Sequence, residues 1–278
     1  MLGADYDTIR LDQGPVRYRR IGAGDPIVFV HGLLVDGRLW NGVAERLATR
    51  FDCIVPDWPM GSHVMPMRES ADLSPPGQAQ LVADLIGALG LDRATVVGND
   101  TGGAVAQIVA AHHPERVARL VLTNCDTFEH FPPFPFSLMP PVARLPGGMT
   151  ALSAPFRLGP VRRATYGLLV ERPLDPALVD SWLEPSLRDR AILRDARKLV
   201  AGAHNRQTLD AAERLRGFDR PALLAWGMED RFFKLDHARR LATVIGAAPV
   251  VEIDGGRTFV PLDRPDAVAA AIDGHFDG

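Results

Sequence analysis

Six short apolar runs alternate along the chain with longer stretches whose apolar residues recur at helical spacing. The runs are Ile27-Val28-Phe29-Val30, Cys53-Ile54-Val55, Thr95-Val96-Val97, Leu120-Val121-Leu122-Thr123, Leu223-Leu224-Ala225-Trp226 and Val250-Val251-Glu252-Ile253. Each is too short for a helix, and most are rich in the β-branched residues that suit a pleated strand. Between them, Leu39, Val43 and Leu47 share one helical face within residues 38–49, as do Leu81, Leu85 and Leu89 within 78–89. Further helices are predicted over 101–112, 235–245 and 265–276. Near-continuous apolar strands separated by helices predict an α/β fold, a mostly parallel sheet buried on both faces. Residues 8–21 alternate polar and apolar side chains and predict one or two antiparallel edge strands.

Eleven of the 23 prolines fall between Pro132 and Pro185, where they interrupt any long strand or helix. The expected organisation is a core of residues 1–125 and 216–278, with an inserted helical cap over 126–215. Composition narrows the function classes. Lys and Arg number 31 against 34 acids, a net charge of -3 that gives no reason to expect a nucleic-acid or polybasic membrane partner. Two cysteines, Cys53 and Cys125, exclude a disulfide scaffold. The N-terminal Met1-Leu2-Gly3-Ala4-Asp5 lacks a basic-then-apolar leader pattern, and no apolar run nears the ~20 residues that span a bilayer. A cytoplasmic protein with no cofactor and no metal site is expected; self-association is compatible with the composition.

In an open α/β sheet, ligands sit beyond the carboxyl ends of the strands. The residues that end the strands are therefore the informative ones: His31-Gly32-Leu33, Asp57-Trp58, Asn124-Cys125-Asp126, Gly227-Met228-Glu229-Asp230 and Asp254-Gly255-Gly256-Arg257-Thr258. Most specific is Gly98-Asn99-Asp100-Thr101-Gly102-Gly103, where small residues bracket one carboxylate between a β-branched strand and an Ala-rich helix. This is the spacing of a nucleophile elbow, a turn too tight for bulky neighbours. A helix-capping Asp on a glycine-rich turn is the alternative.

With these motifs in this order, the chain resembles the α/β-hydrolase family, and the Asp at the elbow resembles its haloalkane dehalogenase and epoxide hydrolase branches. The resemblance implies Asp100 as nucleophile, Asp230 as the acid of a triad, and the backbone N–H groups of Leu33 and Thr101 as an oxyanion hole. An ordinary carboxylate is ionised at pH 7, so Asp100 would need no base to attack an electrophilic carbon. The family loop Gly-x-His-Phe-x-Pro reads Gly256-Arg257-Thr258-Phe259-Val260-Pro261 here, so Thr258 stands where the water-activating His belongs. A hydroxyl is not a proton acceptor at neutral pH. His63, His130 and His204 are the candidates for a displaced base.

The branch signatures are incomplete. Thr101 replaces the halide-binding Trp, Leu33 replaces a halide-binding Asn, and Tyr166 is the one tyrosine available in the cap, with Trp182 a substitute halide ligand. The expected pocket residues are His31, Trp40, Asn99, Asn124, His130, Phe131, Tyr166, Trp182 and Phe259, under an apolar roof that begins with Phe128, Phe131, Phe134 and Phe136. Such a roof implies a hydrophobic small-molecule partner. Three functions follow: an Asp-nucleophile hydrolase with a displaced or missing base, a non-hydrolytic ligand-binding protein, and an isomerase or cyclase using Asp100 as acid or base.

Overall fold

The computed structural model describes residues 6–275; the N-terminal pentapeptide and the end of the last predicted helix, at residue 276, lie outside them. Eight strands form one sheet: β1 (Asp7–Leu11), β2 (Gly14–Ile21), β3 (Asp25–Val30), β4 (Phe51–Asp57), β5 (Ala94–Asp100), β6 (Val117–Cys125), β7 (Ala222–Gly227) and β8 (Val250–Ile253). Their spatial order is β1-β2-β4-β3-β5-β6-β7-β8. The β1–β2 and β2–β4 pairs are antiparallel and every other pair is parallel, so residues 8–21 supply two antiparallel strands, of which β1 alone is at the edge and β2 is paired on both sides.

Twelve α-helices are described: α1 (Asn41–Leu47), α2 (Pro75–Ala88), α3 (Thr101–His112), α4 (Met139–Arg144), α5 (Gly148–Ser153), α6 (Gly159–Leu169), α7 (Pro176–Arg188), α8 (Arg190–Gly202), α9 (Asn205–Leu215), α10 (Leu235–Val244), α11 (Val260–Asp263) and α12 (Pro265–His275). Alternation along β3 explains the two core layers. Ile27 and Phe29 face the layer holding Leu39, Val43 and Leu47 of the α1 region with Val268 and Ile272 of α12. Val28 and Val30 face the opposite layer, built from Leu81 and Leu85 of α2, Val105 and Val109 of α3 and Leu241 of α10. Helix α2 begins three residues before its predicted start, because the Ser74 hydroxyl accepts from the Gly77 N–H and Pro75 suits the first helical position.

Between β6 and β7 the chain adds no strand to the sheet; α4 to α9 lie there. The prolines start helices in this segment more than they break them. Pro140, Pro155, Pro160 and Pro176 each occupy a first or second helical position, Pro141 follows at the third, and Pro185 lies well inside a helix. Helix α9, expected in the cap, packs instead against α3, and its Ala211, Ala212 and Leu215 join the core layer of α2 and α3. No described helix is long and apolar enough to cross a membrane.

Strand order reverses between β3 and β5: β4 lies on the far side of β3, and β6 on the far side of β5. Loops leaving β3 and β5 therefore diverge and open a crevice at their carboxyl ends. Leu33 and Asp100 stand there.

Candidate active site

Asp100 ends β5 and precedes α3 with φ 54° and ψ -131°, a conformation that L side chains adopt only under strain. The surrounding sequence is small because the space is. A Cβ on Gly98 would lie 2.6 Å from the Gly102 carbonyl oxygen, one on Gly102 2.3 Å from that of Val30, and one on Gly103 2.2 Å from Cys125 Cβ. On the facing loop, a Cβ on Gly32 would lie 2.0 Å from Asp100 Oδ2. Strand, helix and loop thus close on the Asp100 carboxylate, and they leave no room for substitution on three sides.

The carboxylate accepts hydrogen bonds from the backbone N–H groups of Thr101 and Leu33. Even so, its pKa is pushed up to about 7: burial is the largest cause, Asp230 raises it further, and the two N–H groups only partly offset them. The expectation of an ordinary carboxylate fails on this point. Near neutrality Asp100 is ionised in only part of the molecules.

Asp230, in the loop after β7, is buried and fully engaged. Its Oδ1 accepts from the N–H groups of Phe232 (2.7 Å) and Phe233 (3.1 Å), and Oδ2 accepts from Asn124 Nδ2 (2.9 Å). The Thr258 hydroxyl donates to Oδ1 at 3.1 Å. Thr258 therefore makes a bond to the acid, as a histidine at this position would, but its one proton is spent there. Burial raises the Asp230 pKa, and these four donors restrain the rise.

A cavity of about 170 Å³ opens over Asp100. Its floor is Leu33, Leu34, Asp100, Thr101 and Asp126; its walls and roof include Phe131, Phe136, Met139, Leu152, Phe156, Tyr166, Leu169 and Val200. Of the expected pocket residues, Phe131 and Tyr166 line it. Phe128 turns into the core instead, under the Arg240 guanidinium, and Phe134 points outward, 77% exposed.

Seven expected pocket residues lie outside the cavity lining, each held by a partner. His31 accepts from the Trp58 N–H through Nε2 (2.8 Å) and donates through Nδ1 to the Gly32 carbonyl (2.9 Å), and burial lowers its pKa. Trp40 packs on Phe29 at 5.1 Å between centroids. Asn99 Nδ2 ties Thr123 Oγ1 and the carbonyls of Asn124 and Thr258 together, and Asn124 clamps Gly227 while it holds Asp230. His130 stacks on His237 at 4.1 Å. Phe259 packs against both Tyr166 and Trp182, which stack on each other.

Trp182, weighed as a halide ligand, donates its indole N–H to Asp36 Oδ1 at 2.9 Å with no surface exposed. Trp182→Phe is expected to destabilise the protein by about 1.5–3 kcal/mol, the usual worth of a hydrogen bond to a charged group. Chemical denaturation measures this; an unchanged midpoint would contradict the bond. The Tyr166 hydroxyl is also committed, to the Leu34 carbonyl at 2.5 Å, and burial raises its pKa. That bond ties the helical insertion to the loop that carries Leu33.

None of the histidines lines the cavity among the described residues. His63 is buried against Asp195 (3.4 Å), and His204 caps α9 by accepting from the Arg206 N–H. The residue that sequence reasoning passed over is Asp126, one position beyond β6. It is 1% exposed, lines the cavity beside Asp100, and its Oδ1 has no hydrogen-bond partner. Its place at a strand end was the available signal.

An eight-stranded, mostly parallel sheet with an acidic elbow at its switch point defines a class, and the sequence comparisons agree. A family model described as alpha/beta hydrolase fold matches residues 25–264, and the chain belongs to that family. It is 30% identical to an uncharacterized protein of Mycobacterium tuberculosis over 263 residues, covering 89% of this chain and 74% of the relative. It is 28% identical over 275 residues to haloalkane dehalogenase 2 of the same species, covering 94% and 91%. A 2-hydroxy-6-oxo-6-phenylhexa-2,4-dienoate hydrolase of Comamonas testosteroni is 28% identical over 250 residues, covering 84% and 81%. Among solved structures, an alpha/beta hydrolase fold protein from Burkholderia ambifaria superposes with a TM-score of 0.80 at 23% identity, covering 96% of each chain. These relatives support a hydrolase.

Proposed function

We propose that this protein is a hydrolase acting on a hydrophobic small molecule through Asp100 as nucleophile, in the manner of the dehalogenase relatives but without a histidine base. The observation that carries the proposal is the strained Asp100 at the floor of a mostly apolar cavity. A backbone conformation of this kind costs on the order of 1–3 kcal/mol and persists where the surroundings enforce it. Attack by the carboxylate oxygen on an electrophilic carbon yields an ester and expels the leaving group. Hydrolysis of that ester passes through a tetrahedral oxyanion, for which the N–H groups of Leu33 and Thr101, already bonded to the carboxylate, are in place. Helices α4, α5, α6 and α8 serve as the roof that excludes water.

The test is covalent labelling. A fitting alkyl bromide such as 1-bromohexane is expected to leave one alkyl group on Asp100 that persists for many minutes, seen by intact-protein mass spectrometry and absent in Asp100→Asn. Alkylation should accelerate as pH rises through about 7, where the carboxylate ionises. A panel of halides and epoxides that binds in the cavity, yet labels nothing and is recovered unchanged, would favour the ligand-binding function.

A further inference from the structure

The cavity holds a second carboxyl group for which the mechanism above has no use. Asp126 borders the same void as Asp100, and its backbone N–H lies 3.4 Å from the Asp100 carbonyl oxygen. The Asp100 carboxylate receives two backbone N–H groups, whereas Asp126 has the Thr101 hydroxyl and one oxygen with no partner at all. A buried carboxylate without donors is expensive, and two that share a site do not both ionise.

The charged groups acting on Asp126 are Asp100 and Asp230, both anionic when ionised, and Cys125 adjoins it with a thiol pushed up by burial. In the loop after β7, Lys234 gives its ammonium to the Asp230 main-chain carbonyl. Burial and then Asp100 raise the pKa of Asp126 well above the usual carboxylate range. Of the two, Asp126 is therefore the group that keeps its proton as Asp100 ionises, since the donors gather around Asp100 and one Asp126 oxygen has none.

We propose that Asp126 is the proton donor and acceptor of this site, which fits the cavity to strained cyclic ethers in preference to alkyl halides. The proposal rests on Asp100 being the nucleophile. In the first step an Asp100 oxygen bonds to a ring carbon and the ring C–O bond breaks. The electron pair stays on the ring oxygen, which takes the proton of Asp126. In the second step the Asp126 carboxylate takes a proton from water as the water oxygen bonds to the ester carbonyl carbon. Collapse of the tetrahedral intermediate expels the product oxygen, which receives that proton from Asp126. Asp100 is left as the acid and Asp126 as the carboxylate, and one proton transfer between them restores the starting state. The sum is cyclic ether plus water to diol. An alkyl halide leaves as an anion and takes no proton, so Asp126 stays protonated and no base is generated to cleave its ester.

The experiment compares 1,2-epoxyhexane with 1-bromohexane, probes of matched alkyl length. Wild-type protein is expected to convert the epoxide to diol repeatedly and to hold the alkyl ester from the bromide. Asp126→Asn should slow epoxide opening by about 10²–10⁴-fold, the usual worth of general acid help, and leave alkylation by the bromide little changed. Asp126→Glu should recover part of the loss. An infrared carbonyl band of a protonated carboxyl at pH 7, lost in Asp126→Asn, reports the proton without turnover. If the bromide labels Asp100 but Asp126→Asn affects both probes alike, or neither, Asp126 has no part in proton transfer. The absence of the acid band has the same meaning. If neither probe labels or turns over in the wild-type protein, the nucleophile falls and the proposal with it.

Discussion

Asp100→Asn is expected to make the protein more stable at pH 8 while abolishing covalent labelling. In the folded state the Asp100 pKa is raised to about 7, above its value in the unfolded chain. Stability from this group is therefore fully present below about pH 4 and is lost as pH rises through about 7. The difference amounts to about 2–4 kcal/mol at pH 8, which for a chain of this size moves the thermal midpoint by about 3–7 °C. Asn keeps the shape and cannot ionise, so its gain should shrink toward pH 4. Thermal unfolding of both proteins across pH 4–9 measures the effect. A variant that gains nothing at pH 8 would mean that Asp100 is better solvated than its surroundings indicate.

Thr258→His should convert the persistent bromide adduct into a transient one. The Thr258 hydroxyl already bonds Asp230 Oδ1 at 3.1 Å, so an imidazole Nδ1–H at this position has its orienting acid waiting. Its Nε2 would supply the missing water-activating base, worth about 10²–10⁴-fold in ester hydrolysis. Thr258 is almost wholly buried, and the larger ring is expected to cost about 1–3 kcal/mol in packing. Loss of the alkyl mass from Asp100, followed after excess 1-bromohexane is removed, gives the rate. Adding Asp230→Asn to Thr258→His should reverse most of the gain, because the imidazole loses its orienting acid. An adduct that outlives both changes would point to a site closed to water, not one lacking a base.

What could be read from residue order is local or periodic. Apolar runs of three or four residues between helical faces specify a buried parallel sheet, since the pleat repeats every two residues and the helix every 3.6. Gly98, Gly102 and Gly103 around Asp100 mark a turn without room for side chains, and the structure shows the colliding atoms. The substitution at Thr258 was legible because Phe259 and Pro261 keep the loop in register.

What the tertiary structure alone decided is which strand-end groups share a void and what that does to their protons. Sequence places Trp182 and Tyr166 together as pocket candidates; it cannot say that Trp182 meets Asp36 while Tyr166 reaches the cavity. Asp126 and Asp100 stand 26 positions apart in sequence, and only the adjacent parallel placement of β5 and β6 puts both carboxyl groups at one cavity floor. An isolated aspartate has one pKa; burial, two backbone N–H groups and the Asp230 carboxylate give Asp100 another. Those influences act through space over a few ångströms, and residue order holds no record of such distances until the sheet has formed.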